Sequence, residues 1–157
     1  MTVELWSLGG SDKKELAQAI DMYTKRLQHY TKFKIETIDN AKVNKSLGKE
    51  QILLKEADII LQKLQPKDLL ITLDEKGTEI NSIIFSEKIN TWLHQTNSKI
   101  VFLIGGSYGI SPQLHDRATF TMALSKLTFP HQLVRLLFVE QLYRAFSILK
   151  NEKYHHE

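Results

Sequence analysis

Apolar and polar positions alternate along this chain in two rhythms. Residues 3–8, VELWSL, switch between apolar and polar side chains and run into Gly9-Gly10, the pattern of a β-strand. Leu16, Ala19, Ile20, Tyr23 and Leu27 then recur at helical spacing, which predicts a helix to about Tyr30 with Ser11 or Asp12 as its cap. FKIETI at 33–38 alternates again and predicts a second strand. A polar loop over 39–48 follows, then an amphipathic helix over 49–64 that Pro66 stops. DLLITLD at 68–74 is mostly apolar, as in a strand covered on both faces. A turn at Gly77 leads to a helix near 85–96 with Ser86 as its cap. KIVFLIGG at 99–106 is the strongest buried-strand signal in the chain. Ser111-Pro112 opens a short helix, TFTMALS at 119–125 predicts a fifth strand, and a last helix runs from about 131 to 149.

Strands alternating with helices build βαβ units, so the expected fold class is α/β, with a mainly parallel sheet and helices on both faces. No repeat, linker or low-complexity tract interrupts the pattern, and residues 1–157 read as one domain.

Composition narrows the possibilities. A chain 42% hydrophobic and 25% charged can fill a core, which excludes a disordered tail or linker protein. No apolar run approaches the roughly eighteen residues of a membrane span, and the early Glu4 breaks any signal-peptide pattern, so a cytoplasmic protein is expected. The absence of cysteine excludes disulfides, zinc–thiolate sites and a thiol nucleophile. The net charge of +3 is mild, but residues 117–153 carry Arg117, Lys126, Arg135, Arg144, Lys150 and Lys153 against Glu140 and Glu152. That bias suits a phosphate-bearing partner, and equally a solvated basic face.

Gly105-Gly106-Ser107-Tyr108-Gly109 has the G-x-S-x-G spacing of a nucleophile elbow, with Asp116 and His131 following in triad order. An elbow needs its helix to begin directly after the serine, whereas Ser111-Pro112 starts it several residues later. The stretch also lacks the Gly-Lys-Ser/Thr of a phosphate loop and the G-x-G-x-x-G of a dinucleotide fold. A glycine-rich bend at the carboxyl end of a central strand remains, which is where open α/β sheets bind ligands. Leu127, Thr128 and Phe129 form an apolar, hydroxyl-bearing loop beside the same edge, and its composition suits an adenine ring.

The last helix is apolar on most of its circumference, from Leu133 to Leu149, which predicts burial on more than one side, most simply in a homodimer. Arg135 and Arg144 point to opposite sides of it, and Glu140 can pair with Arg144 one turn away.

LDEKG (73–77), FLIGGSYG (102–109), LSKLTFPHQLVR (124–135), EQLYRAF (140–146) and the closing YHH (154–156) occur in this order. Over essentially the full chain they resemble the ribosomal RNA large subunit methyltransferase H family, small enzymes of the SPOUT class. The resemblance implies a C-terminal trefoil knot, a homodimer, and S-adenosylmethionine (S-adenosyl-L-methionine) as cofactor. It implies methylation of N3 of a pseudouridine in large-subunit (23S) ribosomal RNA, on the assembled ribosome, with no metal and no membrane. Carried onto this sequence, the cofactor positions are Leu73, Gly105, Leu124, Ser125, Lys126, Leu127, Thr128 and Phe129.

A ring nitrogen needs only to lose a proton to attack, which fits a chain without cysteine. A cation near the developing charge and a base would both help. Arg144 is the candidate cation, Tyr154 a stacking platform for the base, and His155 the proton acceptor, histidine being the side chain that titrates near neutrality. The tail KYHHE (153–157) is too short in histidines for a tag and poor as a metal clip, so it reads as the mobile end of a site shared between subunits. The competing expectations are a non-catalytic RNA- or ribosome-binding module and a flavodoxin-like regulator using the Gly105 bend.

Overall fold

The computed structural model describes residues 1–10, 13–41, 43 and 46–156; the expected cap at Ser11 or Asp12 lies outside them. Five strands, β1 (Thr2–Leu8), β2 (Lys32–Ile38), β3 (Leu69–Glu79), β4 (Lys99–Ile104) and β5 (Phe120–Ala123), form one sheet in the order β2-β1-β4-β3-β5. Every pairing between them is parallel. Five helices connect or follow them: α1 (Lys14–Leu27), α2 (Lys49–Lys63), α3 (Ser82–Gln95), α4 (Pro112–Arg117) and α5 (His131–Leu149).

The two-residue period of the strands sorts their side chains onto two cores. Val3, Leu5, Ile71, Leu73, Ile100, Phe102 and Ile104 face one side, where they pack with Ile20 and Leu27 of α1, Phe85, Ile89 and Trp92 of α3, and Phe138 and Leu142 of α5. Trp6, Leu8, Leu70, Val101 and Leu103 face the other, against Ala57 and Ile60 of α2 and Leu114 of α4. The tightest ring pair in the first core is Phe102 and Phe138, with centroids 4.6 Å apart.

Two boundaries differ from expectation. The third helix begins at Ser82, and its cap is Asn81, whose Oδ1 accepts the Ile84 N–H at 2.8 Å; Ser86 is buried within the helix and donates to the Ile83 carbonyl. The chain also does not leave the sheet at Gly77. Leu73 and Thr78 both pair with Met122, so β3 makes a wide bulge over 74–77 and rejoins β5. Glycine is required there, because a Cβ on Gly77 would lie 2.7 Å from the Thr121 carbonyl oxygen.

The apolar breadth of α5 is met in part inside the chain. Its Phe138, Val139, Leu142, Ala145 and Phe146 belong to the core that includes α1 and α3, while Leu133 and Leu137, one turn apart, stay exposed. No helix among the described residues is long and apolar enough to cross a membrane.

Candidate functional site

The carboxyl ends of β3, β4 and β5 surround a cleft of about 590 Å³. Its floor and one wall are Leu73, Ile104 and the 105–109 bend, and its opposite wall is Leu124, Ser125, Leu127, Thr128 and Phe129. Gly105 is buried and a Cβ on it would sit 2.4 Å from the Gly109 carbonyl oxygen, so only glycine lets the bend fold this tightly. The loop after β5 is shaped by Ser125, whose hydroxyl accepts the Leu127 N–H at 3.0 Å. Leu127 is left 69% exposed at the cleft mouth, available to a ligand. Of the eight expected cofactor positions, seven line this cleft. Lys126 does not: its ammonium donates to the Gly77 carbonyl at 2.9 Å and braces the β3 bulge.

Ser107 lies exposed in the bend, and α4 begins at Pro112 with the Ser111 hydroxyl accepting the Leu114 N–H at 3.2 Å. The late helix start is as the sequence predicts. Neither Asp116 nor His131 hydrogen-bonds to Ser107, so no nucleophile elbow is formed.

The C-terminal candidates gather elsewhere. Arg144 donates from Nη2 at 2.6 Å and from Nε at 3.1 Å to Oε1 of Glu140, and this pairing raises its already high pKa. Its Nη1 lies 3.2 Å from Nδ1 of His155, and its guanidinium stands 4.8 Å from the Tyr154 ring centre. Tyr154 packs edge-on against Tyr143 at 4.7 Å, donates to Glu140 at 3.1 Å and meets the Tyr23 hydroxyl at 3.4 Å. Burial, with these hydrogen bonds, pushes its phenol pKa upward and keeps it protonated. Tyr154 and His155 are thus docked on α1 and α5 of their own chain. None of Arg144, Tyr154 and His155 lines the cleft. Arg135, the other arginine of α5, is buried and donates to the Ser7 hydroxyl at 2.8 Å and the Gly9 carbonyl at 3.0 Å.

Residues that sequence reasoning left without a role also stand at the cleft. Asp74 and His115 line its wall, 3.1 Å apart, and Lys49 and Leu53 of α2 close its rim. Beneath the bend, the buried Glu56 accepts from Asn40 at 2.9 Å and packs against Gly106. His131, at the start of α5, has its pKa lowered, first by burial and then by Arg135. The signal for Asp74 was its place in LDEKG. His115 lies one turn into a short helix and gave none.

A family model described as a predicted SPOUT methyltransferase matches residues 1–155. A "Ribosomal RNA large subunit methyltransferase H" of Christiangramia forsetii is 47% identical over 156 residues, 99% of each chain. The protein of the same name from Flavobacterium psychrophilum is 45% identical over all of both chains. Among solved structures, a probable methylase family protein from Haemophilus influenzae superposes with a TM-score of 0.54 at 12% identity, over 99% of this chain and 70% of that one. The chain belongs to the SPOUT methyltransferases and, within them, to the ribosomal RNA large subunit methyltransferase H family.

Proposed function

We propose that this protein uses S-adenosylmethionine to methylate N3 of a pseudouridine in 23S ribosomal RNA, acting as a homodimer on the assembled ribosome. What carries the reading is full-length likeness to relatives named for ribosomal RNA methylation, in a chain whose cleft has the lining that such a cofactor needs. Leu73, Ile104, Leu127 and Phe129 offer apolar surface to a purine ring, and the 105–109 bend brings main chain to the cleft. A volume of about 590 Å³ is ample for a ligand of that size. When bound, the cofactor supplies an electrophilic sulfonium methyl, which is the hard part of the chemistry.

The chain's own residues then have to hold the base, ease loss of its imide proton and meet the developing negative charge. Arg144, fixed by Glu140, is the cation suited to that charge. Tyr154 is suited to contact the extruded base, and His155 to take the proton once its Nδ1 separates from Arg144. These residues and the cleft are apart within one chain, so the reading needs a second copy whose tail reaches the first copy's cleft. The exposed Leu133 and Leu137 on α5 are suited to such a contact.

A C-terminal trefoil knot belongs to the same reading. β4 and β5 lie on opposite sides of β3, so the chain crosses β3 between them, and α5 then returns to β1 through Arg135.

The test is calorimetry with S-adenosylmethionine, together with mass spectrometry of 23S rRNA from ribosomes incubated with protein and cofactor. Binding, and one added methyl on one pseudouridine, is the expected result. Ribosome binding without cofactor affinity would instead mark a non-catalytic ribosome-binding module.

A further inference from the structure

We infer that Asp74, held in place by His115, makes the cleft prefer a cationic methyl donor over its neutral thioether product. The inference rests on the cofactor reading above and concerns two residues to which that reading gives no task. Asp74 follows Leu73 in LDEKG, and both its oxygens are engaged by the protein. Oδ1 accepts the Lys76 N–H at 2.9 Å, and Oδ2 lies 3.1 Å from Nε2 of His115. A carboxylate only accepts, so Nε2 carries the imidazole proton. The other ring nitrogen is backed by two hydroxyls, with Nδ1 3.3 Å from Thr72 and 3.2 Å from Thr121. Those hydroxyls are themselves 2.8 Å apart, and Thr72 is fully buried. Side chains from β3, α4 and β5 thus converge to hold one carboxylate in the cleft wall.

The surroundings give that carboxylate weight. The other formal charges at the cleft, Lys49, Glu75 and Lys76, are exposed side chains screened by water. The Asp74 side chain is only 16% exposed. A charge at a part-buried wall acts through a lower effective dielectric than bulk water, so its attraction for a cation is several times stronger there. The methyl donor carries a sulfonium charge and a methyl group that its thioether product lacks, and the rest of the two molecules is the same. A fixed carboxylate distinguishes them by that charge, and so favours release of product after each turnover. His115 is a positioning residue: without its N–H the carboxylate keeps only the Lys76 N–H on Oδ1 and is held less firmly in the cleft wall.

Calorimetry on the intact protein tests this with S-adenosylmethionine, S-adenosylhomocysteine and sinefungin, whose amine supplies a cation where the donor has sulfur. Asp74→Asn keeps the shape and the Lys76 contact but removes the charge. It should weaken the donor and sinefungin by about tenfold while changing the thioether by less than about threefold. His115→Leu should lose part of the same preference, and His115→Gln, which keeps an N–H donor, should retain more of it. Equal weakening of donor and product in Asp74→Asn, or an unchanged ratio, overturns the inference and leaves the cofactor reading standing. A wild-type protein that binds none of the three overturns both. Near-ultraviolet circular dichroism of each variant separates a changed preference from a changed fold.

Discussion

Nη1 of Arg144 lies 3.2 Å from Nδ1 of His155, and the contact dictates which nitrogen of the imidazole is bare. A guanidinium has only donors, so Nδ1 accepts and Nε2 holds the proton. His155→Gln keeps a polar side chain beside Arg144 but has no imidazole nitrogen to take the imide proton. Single-turnover methylation of ribosomes should be slower by about a hundredfold in this variant. A wild-type rate in His155→Gln would remove the imidazole from the proton transfer.

The separation of the Arg144 cluster from the cleft predicts complementation between two inactive proteins. Arg144→Ala spares the cleft and should bind cofactor like wild type, whereas Gly105→Val forces a side chain into the Gly109 backbone and should abolish binding. If one copy's tail serves the other copy's cleft, a heterodimer of the two variants has one complete site. Statistical mixing should then restore about a quarter of wild-type activity. A mixture as inactive as its parts would place both halves of the site in a single chain.

His131 makes stability depend on pH in a definite direction. Burial, reinforced by Arg135, lowers its pKa in the folded chain against the weaker pull of the Gly106 carbonyl and Glu56. The unfolded chain therefore takes up this proton at a higher pH than the folded one. Stability rises with pH across that window, and is lost as pH falls below the unfolded value of about 6.5. The urea midpoint should drop between about pH 7.5 and 5.5, and the drop should be smaller in His131→Gln. Parallel curves for the two proteins would contradict the assignment.

The strands were legible because their burial is local in sequence: Ile100, Phe102 and Ile104 alternate with Val101 and Leu103 between the two cores. The bend at Gly105 and the loop at 127–129 were legible for a related reason, since each follows directly from a strand end. What escaped depends on partners distant in sequence. The β3 bulge exists only because residues 78 and 79 find β5 again. The start of α3 was obscured because Ile84 sits on its outer face, 40% exposed, inside an apolar run. The basic C-terminal segment is also less free than its composition suggests. Arg117, Lys126 and Arg135 are turned to backbone carbonyls and Arg144 to Glu140, so most of that charge is already engaged within the fold. Asp74 and His115 come together only when β3 and α4 pack, which no spacing in the sequence announces.

Removing residues 153–157 should separate fold from function. The segment contributes the edge contact of Tyr154 with Tyr143 and the hydrogen bond to Glu140, both on the outer side of α5. The preceding turn is held independently, by the Glu152 N–H donating to the Ser147 carbonyl at 2.9 Å and by the Tyr30 hydroxyl donating to the Glu152 carboxylate. Phe102, Phe138, Leu142 and the rest of the first core are untouched. The truncated chain should thus lose only about 1 kcal/mol, the usual worth of one aromatic pair, and keep its cofactor affinity. Methylation should vanish, because Tyr154 and His155 go together and Arg144 keeps only Glu140. Full activity in the truncated protein would remove the tail from the mechanism, and loss of cofactor binding with it would make the tail part of the cleft.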